Sequence, residues 1–198
     1  MHAILFHSSA MYQHIPVKTF YLEHSDCSTT LPALPADYQF SAWSPTVDEY
    51  LKIYQAVGAP FGWTGRILMK TTELRALLAA DQHALYLLKY QDQVAGFVEY
   101  ILHPDQAIEI VYFGLTPEFT GKGLGKVFLQ TCIVQAYRKQ AKKVWLHTCE
   151  FDHPNALPNY QKMGFRLLKE QIDQEPYLPS FLKEFKRKFP EITFTYEK

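Results

Sequence analysis

One carboxylate stands where the surrounding chain is apolar: Glu109 interrupts Ile108, Ile110 and Val111. Burial among such neighbours raises a carboxyl pKa towards neutrality, which makes Glu109 a candidate general base. The competing reading is a strand residue that faces solvent. Glu99 lies on the neighbouring apolar stretch and is a weaker second acid. His147 and Cys149 are two residues apart, so on a strand they share a face, with His153 close behind. His147 could relay a proton if it faces an acceptor, although a packed core histidine is the commoner outcome. A second kind of chemistry is written in Gly121, Gly123 and Gly125, which alternate with Lys122, Leu124 and Lys126 after Thr120. The chain has 9 glycines, and three fall here. Glycine lets backbone N–H groups turn tightly towards a ligand, and a helix N-terminus adds free donors and partial positive charge. Together they form an anion cradle suited to a pyrophosphate. It is not a Walker loop, because Lys126-Val127 follows where Lys-Ser/Thr is required. Nor is it a dinucleotide fingerprint, because residues 119–149 contain no acid.

These residues need elements to hold them. Ordered structure is expected to start near Val17, after a ragged leader at residues 1–14, and residues 23–36 read as a Ser/Thr/Pro-rich loop. The spacing then predicts a strand at 38–43, a helix from Ser44-Pro45 to Gly58, an aromatic Gly-rich loop at 58–66, and a second helix capped by Thr71 or Thr72 that stops near Asp81. Strands follow at 84–89, 94–102 and 107–115. Leu124, Val127, Phe128, Thr131, Val134 and Gln135 share a helical side. A strand at 142–148, a short helix at 155–163 and a strand from Phe165 complete the pattern. This order indicates an α/β (α+β) sheet with helices on its faces. The tail reads as a helix through 181–189 and a strand at 192–196, which could extend the sheet edge or form a homodimer interface.

The chain has 198 residues with 20 basic and 20 acidic side chains, so it is neither a disordered polyelectrolyte nor a wholly cationic nucleic-acid binder. The charge is uneven. Residues 1–118 hold 6 basic and 12 acidic groups, residues 119–149 hold 6 basic and none acidic, and residues 150–198 hold 8 of each. The positive segment suits a phosphorylated ligand. Three cysteines at wide spacing give neither a disulfide framework nor a metal pattern, and no apolar run reaches membrane length, so a reduced cytoplasmic protein without a membrane partner is expected.

Taken together, Thr120-Gly121-Lys122-Gly123-Leu124-Gly125 after a strand, then Ala156, Tyr160 and Gly164-Phe165, resemble the GNAT superfamily of acetyl-CoA-dependent N-acetyltransferases. Thr120 stands where the family has Gln or Arg. His153 stands where it usually has Asn, with Asn155 and Asn159 nearby. The resemblance covers roughly residues 38–170. It implies a domain at 37–170, with a leader at 1–36 and an extension at 171–198.

The resemblance further implies a mostly antiparallel sheet whose fourth (107–115) and fifth (142–149) strands splay to admit a pantetheine arm. Phe113, Gly114 and Leu115 would pair with the arm, and the amides of residues 121–126 would hold the pyrophosphate, with His153 and Asn155 beside it. Acetyl-CoA would donate to a primary amine of a small molecule by direct attack in a ternary complex, so a Cys149 nucleophile ranks low. Glu109, eleven residues before Thr120, matches a family glutamate that acts as base, directly or through water. Tyr160 matches the tyrosine that serves the sulfur as general acid. The acceptor would lie against Tyr54, Trp63 and Arg66, where net acidity favours a cationic amine and Arg66 favours an amino acid. A protein N-terminus or lysine is the alternative acceptor. A non-catalytic acyl-CoA sensor is the alternative of another class.

Overall fold

The computed structural model describes residues 12–197. The elements are β1 (Gln13–His24), β2 (Tyr38–Ala42), α1 (Val47–Gly58), α2 (Thr71–Leu78), β3 (His83–Tyr90), β4 (Gln93–Leu102), β5 (Ala107–Leu115), α3 (Leu124–Arg138), β6 (Lys143–Cys149), α4 (Ala156–Lys162), β7 (Arg166–Tyr177) and α5 (Pro179–Lys188). The strands form one sheet in the order β2-β3-β4-β5-β6-β1-β7. β5 and β6 run parallel, and the other recorded pairings are antiparallel. This is the mixed, mostly antiparallel sheet expected, with helices on both faces.

Local chemistry starts and stops the helices. Thr46 and Glu49 form a reciprocal capping box at the head of α1: the Glu49 amide donates to Thr46 Oγ1 and the Thr46 amide to the Glu49 carboxylate. Tyr50, Tyr54 and Val57 then fall on one face and pack with Leu74 of α2 against Leu85, Leu87 and Phe97. Lys70, not a threonine, occupies the cap of α2. On the opposite face α3 buries Phe128, Cys132 and Ile133 against Val98, Tyr100, Ile110 and Leu146. Strand alternation separates the two cores, so Phe97 and Glu99 face α1 while Val98 and Tyr100 face α3.

The two ends of the chain differ from expectation. β1 begins at Gln13, ahead of Val17, and is an interior strand between β6 and β7. The proposed leader residues 1–11 lie outside the described residues. Pro16 is tolerated in β1 because pairing with β6 covers only Thr19 to His24, leaving Pro16 paired to β7 alone. β7 runs through Tyr177, so the sheet crosses both boundaries drawn at 36/37 and 170/171. The strand expected at 192–196 is instead a 3₁₀ turn at Thr195–Glu197. The Phe194 N–H donates to the Glu197 carboxylate and the Thr195 N–H to Glu150, while the Glu197 N–H closes the turn on the Phe194 carbonyl. The alternating aromatics serve packing: Phe194 stacks on Phe151 at 4.9 Å. No helix among the described residues is long and apolar enough to cross a membrane.

Candidate active site

The sheet opens between β5 and β6. Their pairing runs from Ala107↔Lys143 to Ile110↔Leu146 and stops there, though β5 continues to Leu115 and β6 to Cys149. The β4–β5 register shifts at the same level, from Tyr100↔Ile110 to Glu99↔Tyr112, so Val111 is an extra residue. Such a bulge bends its strand. Beyond it, Phe113, Gly114 and Leu115 pair with β4 on one side and have no recorded strand partner on the β6 side. A cleft of about 1000 Å³ occupies the opening, and all three residues line it.

At one end of the cleft stands the N-terminus of α3. Gly121 and Gly123 have φ of +72° and +75°, a region that strains other residues, and a Cβ on either would meet nothing within 4 Å. Gly123 is the N-cap and no side chain caps the helix, so its leading amides have no side-chain acceptor. The Thr120 hydroxyl donates instead to the Pro117 carbonyl at 2.8 Å. Thr120, Gly121, Gly123, Gly125 and Lys126 line the cleft. Lys122 and Leu124 do not: the Lys122 ammonium lies 5.3 Å over the Phe119 ring, and Leu124 is buried in the core. Leu124 can therefore contribute only its amide. His153, Asn155 and Tyr160 line the opposite wall, where Asn155 N–H donates to His153 Nδ1 at 3.1 Å.

The reacting candidates are arranged differently from the sequence ranking. Glu109 is 9% exposed and sits behind the cleft wall, with its carboxylate 3.2 Å from His103 Nε2 and 3.6 Å from His147 Nδ1. His147 itself lines the cleft. Burial alone would lower the His147 pKa, but Glu109, Asp152 and Glu175 outweigh it and raise the value above the usual histidine range. Tyr160 is pushed well above the ordinary tyrosine range by burial and by the charge of Asp152, so it keeps its proton. Burial likewise pushes the Cys149 thiol up, which disfavours a thiolate nucleophile.

The acceptor walls divide the expected residues. Tyr54 and Trp63 line the cleft with Tyr112, whose ring lies 4.8 Å and 4.9 Å from theirs. Arg66 does not line it. Its guanidinium grips the fully buried Glu99, which also accepts from Tyr50 and lies 3.1 Å from His83 Nε2. Burial would raise the Glu99 pKa, yet these three partners hold it below the usual range, so Glu99 is a fixed structural anion. The available carboxylate-binding cation is thus withdrawn.

Several lining residues escaped the sequence reading. Tyr21 of β1 and Asp173, Glu175 and Tyr177 of β7 line the cleft from segments placed outside the domain. So does Asp152, which accepts from Thr148 Oγ1 at 2.6 Å, the Cys149 amide at 3.0 Å and Trp63 Nε1 at 3.4 Å. For the β7 residues the only signal is period-two spacing at 173, 175 and 177, in a stretch too polar to stand out as a strand.

Known proteins share this architecture. The model of the Acetyltransferase (GNAT) family matches residues 50–165. A Bacillus subtilis (strain 168) protein described as the uncharacterized N-acetyltransferase YdgE is 40% identical over 67 residues, 33% of this chain and 41% of that protein. The chain thus spans less than half the length of this curated relative. A GCN5-related N-acetyltransferase from Sphaerobacter thermophilus superposes with a TM-score of 0.57 at 17% identity, over 86% of this chain and 54% of that one. A Bacillus subtilis acetyltransferase in complex with CoA gives 0.53 at 21% identity, over 67% and 78%. At these identities the likeness to solved structures is one of fold. The family model spans more than half of the chain, including the opened strand pair and the glycine-led helix, and the chain belongs to the GNAT acetyltransferase family.

Proposed function

We propose that the protein transfers the acetyl group of acetyl-CoA to a primary amine of a small molecule, by direct attack with both substrates bound. One observation carries this reading: a single cleft has an uncapped, glycine-led helix N-terminus at one end and His147, backed by Glu109, at the other.

The residues present fit acetyl-CoA. Open space stands over Gly121 and Gly123, the leading amides of α3 have no side-chain cap, and Lys126 adds positive charge. When bound, acetyl-CoA supplies an activated acetyl group with a thiol leaving group. Phe113, Gly114 and Leu115 offer backbone groups to the pantetheine arm, as a neighbouring strand would. Nδ1 of His147 faces Glu109, which leaves Nε2 for the amine. The imidazole takes one amine proton as the N–C bond forms, and Glu109 stabilises the resulting cation. Tyr160 donates a hydrogen bond to the sulfur as the C–S bond breaks. Glu109 therefore acts through His147 as a positioning residue.

The loop after α1 narrows the acceptor side, which favours a small acceptor. Phe61 of the loop and Phe181 of α5 join one apolar cluster with Phe151 and Tyr177, so the loop and the C-terminal segment meet over this end. The test is thiol release from acetyl-CoA with a panel of small amines and with peptides bearing free N-termini or lysines. Turnover of small amines supports the reading, and turnover of peptides alone transfers it to a protein acceptor. If CoA binds and no acceptor accelerates thiol release, the chain is an acyl-CoA sensor.

A further inference from the structure

We infer that the acceptor carries a second positive charge, so that a short alkyl diamine is preferred over a monoamine or an amino acid; this rests on the acetyl-transfer reading above. The site is the acceptor end of the cleft, and the sheet decides what faces it. β1 joins β6 to β7 with Tyr21 opposite His147, Thr19 opposite Cys149, Val17 opposite Asp173 and Ile15 opposite Glu175. Directly paired residues share a face, and alternation keeps Ile15, Val17, Thr19 and Tyr21 on one side. His147, Asp173 and Glu175 therefore stand on the same face, and all three line the cleft.

Asp173 and Glu175 have no ion-pair partner among the described residues. Asp173 accepts from the Tyr21 hydroxyl at 3.4 Å and from the Gln171 amide. Glu175 has no hydrogen bond or ion pair among the described residues. Partial desolvation against the cleft wall and the charge of Asp173 raise its pKa, and His147 and His14 offset this only in part. Asp152, by contrast, is already filled by three donors.

Two further features identify a cation as the missing partner. The wall already holds one ammonium of the chain's own: Lys169 Nζ lies 4.2 Å over the Tyr21 ring and donates to Gln171 Oε1 at 2.8 Å. The cations that line the cleft, Lys126 and Lys162, stand on α3 and α4, while Arg66 is spent on Glu99. Among the described residues, the cation beside the acceptor end, Lys169, is already held by Tyr21 and Gln171 and does not line the cleft. Tyr54, Trp63 and Tyr112 supply apolar faces for an alkyl spacer.

The experiment compares kcat/KM for 1,4-diaminobutane, butylamine, 4-amino-1-butanol and 4-aminobutanoic acid at saturating acetyl-CoA. The diamine is expected to exceed butylamine and the amino alcohol at least tenfold, with the amino acid poorest. In Glu175→Gln and in Asp173→Asn/Glu175→Gln, the diamine-to-butylamine ratio should fall at least fivefold, whatever the absolute rates. Glu175 is exposed, so the single variant guards against misfolding of the double one. Equal rates for diamine and butylamine, or a ratio untouched in both variants, overturn the second-charge inference while acetyl transfer stands. No turnover of any amine overturns both.

Discussion

Glu109 Oε1 lies 3.6 Å from His147 Nδ1, and the same carboxylate reaches His103 Nε2 at 3.2 Å on its other side. A carboxylate placed so favours the charged imidazolium and raises the proton affinity of the ring. Nε2, the ring nitrogen away from Glu109, is then the one proposed to accept.

The first prediction follows from that raised pKa. A base works only when neutral, so the acid limb of kcat/KM should sit above the ordinary histidine value of about 6.5. Glu109→Gln removes the largest upward contribution and leaves the downward effect of burial, so the limb should move to lower pH. His147→Gln should abolish the limb and lower kcat/KM roughly 100- to 1000-fold. A pH–rate profile of the three proteins checks this. A limb that persists in His147→Gln would assign the proton transfer to another group.

Tyr160 is tested by removing one oxygen. Its proton is held by burial and by Asp152, so it serves as a hydrogen-bond donor to the departing sulfur. A hydrogen bond to a charged partner is worth about 1.5–3 kcal/mol, so Tyr160→Phe should lower kcat roughly 10- to 100-fold. The dissociation constant for CoA should change little, because the ring still packs on Phe165 at 6.0 Å. Rapid-quench kinetics paired with CoA titration separates the two effects.

Gly123→Asp sets stability against cofactor binding. A carboxylate at an N-cap stabilises a helix, which offsets the cost of about 1 kcal/mol for a non-glycine residue at φ +75°. Thermal stability should therefore move by only a few degrees. The same carboxylate occupies the amides meant for pyrophosphate and repels it, so CoA affinity should fall at least tenfold by calorimetry. Unchanged affinity would remove the pyrophosphate from this helix.

The glycine loop was legible because its meaning is local: positive φ and a following helix are written in neighbouring residues. That His147 and not Glu109 lines the cleft was not legible. Which of two polar residues on adjacent strands reaches a cleft depends on where β5 and β6 part, and that is set at Val111 by a register shift with β4. Asp173 and Glu175 were invisible for a related reason. They acquire a role only through pairing with Val17 and Ile15, at the far end of the chain. The alternation at 192–196 imitated a strand because Phe194 and Tyr196 both pack on Phe151. Arg66 looked like a ligand arm on a Gly-rich loop, and only the fold shows Glu99 beneath it.

That last pair yields a prediction about stability. The Arg66 side chain is 13% exposed and that of Glu99 is 0% exposed, with Tyr50 and His83 completing the shell. Removing one member of a buried pair strands the other charge, which costs roughly 3–5 kcal/mol. Arg66→Met should therefore lower the melting temperature by roughly 10 °C for a domain of this size. Because Arg66 also lies 5.1 Å over the Tyr112 ring, the acceptor KM should rise while CoA affinity holds. The double variant Arg66→Met/Glu99→Leu should recover much of the lost stability, since a matched apolar pair leaves no stranded charge. It should not restore the acceptor KM, because the cation over Tyr112 is still missing. Melting curves and acceptor kinetics on the three proteins distinguish these effects. A double variant no more stable than the single one would mean that Glu99 is needed by Tyr50 and His83 independently of Arg66.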